Sequence, residues 1–208
     1  MNRLIGGATA LILATLAIPV ASHADSNFTT GTGTITASAH LNFTVVIPQF
    51  VYARVSSGTT MAANGTIDTV TYTVPAASVG QGAFAATAGG DISPGVVSAQ
   101  VIGNGGTVTF TATTAGPLSN GVAGQTISYA QMTSAATADA ALPSLALLPA
   151  FTLVDGGTAS QTLGATAGVT NDSAKWTFTY ANANIVAAGT YGATVANNEQ
   201  VTYTASMP

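Results

Sequence analysis

The feature that most constrains this chain is strict two-residue alternation. In GTITASAHLNFTVVIP, residues 33 to 48, the odd positions carry Ile35, Ala37, Ala39, Leu41, Phe43, Val45 and Ile47, while the even positions from Thr34 to Thr44 are Thr, Ser, His or Asn. Side chains on a strand point alternately to opposite faces, so this pattern predicts a β-strand with one apolar face. Residues 35 to 47 would span roughly 43 Å at about 3.3 Å per residue, against an ordinary strand of about five or six residues. A ribbon of that length needs a partner surface.

Similar runs recur along the rest of the chain. After Pro48, residues 49 to 55 continue as extended chain, and Asn64-Gly65 closes the loop that follows. Strands are expected at 67–74, 95–103, 106–114, 125–132, 151–154, 175–180, 189–195 and 199–207. Gly-Gly-Asp-Ile (89 to 92), Asn104-Gly105-Gly106, Asn120-Gly121 and Asp155-Gly156-Gly157 punctuate them, and Asn197-Asn198 reads as a hairpin. Short β-branched and aromatic runs with turn residues between them predict an all-β, antiparallel sandwich or barrel. Helix is nearly absent from the pattern: only ATADAAL (136 to 142) could wind a turn or two before Pro143 stops it. Residues 143 to 151, broken by two prolines, read as an edge strand or covering loop.

The first 24 residues read as an export signal: Arg3, then an apolar run from Leu4 to Val20, then Ser22-His23-Ala24 as a small-x-small cleavage site before Asp25. A retained membrane anchor is the competing reading of the run. No later stretch approaches the ~18 apolar residues that span a bilayer. The expected divisions are therefore a signal at 1–24, an N-terminal extension at 25–44 and a sandwich domain at 45–208.

Beyond residue 24 the basic residues are Arg54 and Lys175, set against seven acidic ones, a side-chain balance of −5. That excludes the basic patch that nucleic acid or an anionic membrane surface would require. Cysteine is absent, so folding cannot rest on disulfides. Charged residues make up 5% of the chain, where soluble domains carry about 25%. Such a surface repels its own copies weakly, which suits a protein packed against itself, although many secreted β-proteins are simply Thr-rich.

Chemistry needs convergent His, Cys, Asp, Glu or Lys, and the pattern supplies none. His40 falls among Thr and Asn on the polar face of the ribbon and reads as a solvated surface residue. No Gly-x-Ser-x-Gly elbow accompanies it. Asp91, Asp155 and Asp172 lie singly beside turn residues, where Asp caps backbone. No catalytic residue, metal site or cofactor is expected. Glycine runs such as Gly103 to Gly106 lack the Lys and helix of a phosphate loop. The sequons at Asn27, Asn42, Asn64 and Asn171 are no more than chance gives in a chain so rich in Asn and Thr. Trp176, Phe178 and Tyr180 share one side of a strand: they are core residues, or, if that face is open, the best carbohydrate platform in the chain.

Near the C-terminus, VAAGTYGATVANNEQVTYTASMP contains the turn Ala188-Gly189-Thr190-Tyr191 before the last strands. With the alternating ITASAHLNF (35 to 43), this resembles chaperone–usher pilins, especially the Cys-free alternate type of colonisation-factor fimbriae. The resemblance implies an immunoglobulin-like sandwich lacking its final strand, completed by the N-terminal extension of the next subunit. Ile35, Ala37, Ala39, Leu41 and Phe43 would then be the donated face. The implied partners are copies of the chain itself, a periplasmic chaperone and an outer-membrane usher, and the implied location is the periplasm and then the surface of a Gram-negative bacterium. The alternative is a self-contained secreted matrix or carbohydrate-binding module, with the long first strand bending from one sheet to the other.

Overall fold

A computed structural model describes residues 25–59 and 61–208; the expected signal segment lies outside the described residues. The chain divides into a segment ending at Ile47 and a compact unit, Pro48–Pro208.

Within the compact unit the strands are β1 (Val51–Val55), β2 (Phe84–Ala85), β3 (Val96–Gly103), β4 (Val108–Thr114), β5 (Leu118–Ser119), β6 (Thr126–Ile127), β7 (Met132–Thr137), β8 (Ala146–Leu147), β9 (Thr158–Leu163), β10 (Thr170–Tyr180) and β11 (Val201–Ser206). Helical structure among the described residues is confined to three short 3-10 turns, and no described helix is long and apolar enough to cross a membrane. The all-β expectation is therefore met.

The eleven-residue β10 organises the larger sheet. β3 runs antiparallel along one side of it from Thr170 to Thr177, and β7 along the other from Lys175 to Tyr180. β2 and the parallel strand β8 complete its two sides, and β1 adds outside β3. The second sheet has the order β11-β4-β9, antiparallel throughout. Alternation places Val97, Ala99 and Val101 of β3, Ala174 and Trp176 of β10, and Val108, Phe110 and Ala112 of β4 in one buried core. The two sheets form a β-sandwich around it.

Between Leu148 and Val154 the chain runs irregularly, yet Leu148, Phe151 and Leu153 are buried. Buried backbone outside a ladder needs other partners, and side chains supply them. Trp176 Nε1 donates to Leu148 O at 3.0 Å, Gln161 Nε2 to Pro149 O at 3.1 Å and Ser134 Oγ to Phe151 O at 2.7 Å. Thr114 Oγ1 donates to Val154 O and accepts from the Gly156 N–H. The expected strand at 151–154 is instead this covering segment.

Other expectations need correction. Residues 33 to 47 form no strand, because a strand needs a ladder partner and none pairs with them among the described residues. The ladder of β1 starts only at Val51. Just before it, Asn104 clips the chain: its Oδ1 accepts from Phe50 N at 2.7 Å, and its Nδ2 donates to Pro48 O at 2.8 Å. Residues 67–74 reduce to a bridge between Thr71 and Ala88. The run 189–195 is broken by Gly192 (φ 79°) and Ala193 (φ 66°), whose left-handed backbone cannot continue a strand. The possible helix at 136–142 gives way to the end of β7 and a turn.

Candidate functional site

The segment before Pro48 exposes its apolar side chains. Leu41 is 76% exposed, Phe43 84% and Val46 86%; Ile35, Ala37, Ala39, Val45 and Ile47 are exposed as well. On the polar face, His40 Nδ1 lies 2.5 Å from Asp25 Oδ2, both in solvent.

The compact unit has a face that is also incompletely covered. Residues directly opposite across a ladder put their side chains on the same face, and Val51 and Ala53 of β1 stand opposite Gly103 and Val101 of β3. Val101 is fully buried, but Val51 is 41% exposed and Ala53 is exposed. On β11 the equivalent core-side residues Val201, Tyr203 and Ala205 are half-buried. Among the described residues β1 pairs only with β3 and β11 only with β4, so each leaves one backbone edge without a ladder partner there. These two edges, in contact with each other, form a rim where core-facing apolar groups and free backbone coincide. The sequence marked 49–55 as extended chain, but its apolar alternation alone could not show that β1 ends up on an edge.

The aromatic trio is not an open platform. Trp176 is fully buried, Tyr180 is buried and Phe178 half-buried. The indole packs edge-on to Phe151 at 6.1 Å and against Tyr203 at 5.6 Å. Stacking on a sugar needs a solvated ring face, so the carbohydrate reading of Trp176, Phe178 and Tyr180 is corrected to core.

Nor do titratable groups converge among the described residues, where no group of three or more His, Cys, Asp or Glu could hold a metal ion. Asp91 Oδ1 accepts from Ser98 N and Asp155 Oδ1 from Tyr129 N, each at 2.7 Å, so both fix backbone rather than a ligand. Asp172 differs from its expected turn position: it is buried within β10, and desolvation pushes its carboxyl above the ordinary value. Ser56, with the Ser57 hydroxyl and N–H, holds the exposed Asp68 carboxylate below the ordinary value. A groove of about 190 Å³ is lined by Thr113, Asn198, Gln200 and Thr202 among others. It can hydrogen-bond a polar group but carries no acid, base or nucleophile pair.

No protein-family model, curated protein or solved structure matches this chain.

Proposed function

We propose that this protein is an exported structural subunit of a surface fimbria or filament, assembled by donor-strand complementation. Residues 33 to 43 of one copy add to the open rim of the next, with a periplasmic chaperone and an outer-membrane usher handling the subunit on its way to the cell surface. The observation that carries this reading is the exposure of Ile35, Ala37, Ala39, Leu41 and Phe43, alternating apolar side chains with no ladder partner among the described residues. Strand addition supplies what both sides lack. The rim gains backbone partners, and the donated side chains fix the register. Burying Leu41 and Phe43 would contribute about 1.5–3 kcal/mol each. The likeness of both chain ends to chaperone–usher pilins points the same way.

One observation favours a second reading, a self-contained secreted β-sandwich. The compact unit has a core of its own residues, with Val101, Val108, Phe110 and Trp176 fully buried. Light scattering and electron microscopy of the purified exported protein, with and without excess peptide 33–47, separate the two. The proposed subunit forms chains whose growth the peptide stops, and Leu41→Asp abolishes them because an unpaired carboxylate cannot be buried cheaply. Monomeric protein indifferent to the peptide would establish the self-contained module instead.

A further inference from the structure

The outer face of the β11-β4-β9 sheet carries a lattice of hydroxyls. The registers align Thr202, Thr113 and Thr158 in one row, Thr204, Thr111 and Ser160 in the next, and Ser206, Thr109 and Thr162 in the third. Every outward position of the three strands is therefore Thr or Ser. Eight of these nine residues are exposed, and the central Thr111 is half-buried by its neighbours. None of the three strands contains a charged residue.

Strand geometry sets the repeat at about 4.8 Å across the strands and about 6.8 Å along them. Several hydroxyls are fixed within this grid: Thr113 Oγ1 lies 2.8 Å from Thr158 Oγ1, and Thr111 Oγ1 donates to Thr204 O at 3.3 Å. Twist rotates neighbouring strands by about 20–25°, which displaces the end rows and leaves the middle row Thr204-Thr111-Ser160 nearest its ideal spacing.

A protein partner would be recognised by large apolar or charged side chains, and a polysaccharide by aromatic rings on which sugars stack. This face offers neither. It offers regularly spaced hydroxyl oxygens, each with lone pairs that accept hydrogen bonds and most with a methyl beside them, in a repeat that borders the groove at Thr113 and Thr202 at one end. Such a face complements an extended lattice. The spacing across the strands is close to the oxygen repeat along the a axis of hexagonal ice. We infer that the outer face of β11, β4 and β9 is an ice-binding surface, with Thr111 at its centre. It lies on the opposite side of the sheet from the core and does not depend on the assembly proposed above.

The test is partition of the purified exported protein into slowly growing ice, with serum albumin as the excluded control, alongside inhibition of ice recrystallisation in frozen sucrose. The protein should be enriched in the ice, and Thr111→Lys and the edge-strand variant Ser160→Lys should each lose that enrichment. Ala135→Lys, an equal charge on an exposed position of the other sheet, should retain it, with thermal unfolding followed by circular dichroism confirming that each variant is folded. Exclusion of the wild-type protein from ice to the same extent as albumin overturns the inference, as does unchanged partition of either folded array variant. Sedimentation with crystalline cellulose or chitin, combined with exclusion from ice, would identify a polysaccharide partner and also overturn it.

Discussion

Trp176 shows how much one side chain can settle. Its ring is fully buried among Phe110, Phe151, Phe178 and Tyr203, and its N–H is bonded to Leu148 O. Trp176→Ala should lower stability by about 3–5 kcal/mol, the usual range for deleting a core aromatic, and a denaturant midpoint unchanged from wild type would contradict this placement. Asp172 acts in the opposite direction. Desolvation raises its folded pKa above the ordinary 3.8, so between those two values the folded state binds more protons than the unfolded. Its favourable contribution is present below the unfolded value and is lost as pH rises through the folded one. Asp172→Asn should therefore raise the melting temperature at pH 7 and flatten the fall in stability above pH 4. A variant less stable than wild type at pH 7 would show that the carboxylate has a favourable partner.

At the scale of elements, the covering segment 148–154 depends on neighbours that are far away in sequence. Thr114 Oγ1 serves Val154 O at its end and Gly156 N just beyond it. Thr114→Val keeps the shape but leaves both without that partner, and should cost about 1–3 kcal/mol in chemical denaturation. Stability equal to wild type would mean that water replaces the hydroxyl. The same dependence explains what could be read in advance. β3, β4 and β11 alternate Val, Phe, Tyr or Ala along most of their length, so their alternation was legible. β9 (TASQTL) before Leu163 and β7 (MTSAAT) after Met132 offer only small or polar residues, which give no apolar alternation to read. Pairing with β4 and β10 makes them strands. The start of β10 was hidden for a related reason. Asn171, Asp172 and Ser173 favour turns locally, but here β3 pairs with all three and β8 with Asp172 and Ser173, which holds them extended. The rim was harder still, because the exposure of Val51 and Ala53 depends on which strands stop pairing.

For the whole molecule, composition and architecture agree. The 5% charged residues leave few repulsive groups, and a run of exposed, alternating apolar side chains precedes Pro48. Pro48, Phe50 and Asn104 stand at the junction between that segment and β1. In the proposed filament this junction is where tension enters a subunit: a neighbour holds residues 33 to 43, and a pull reaches the sandwich through Pro48. The Asn104 clip meets the pull first. Behind it the five β1–β3 pairs are drawn along their own length, so they must slide past one another together instead of opening one at a time. The amide of Asn104 would then act as a mechanical latch, setting the force at which the first strand begins to leave its sheet.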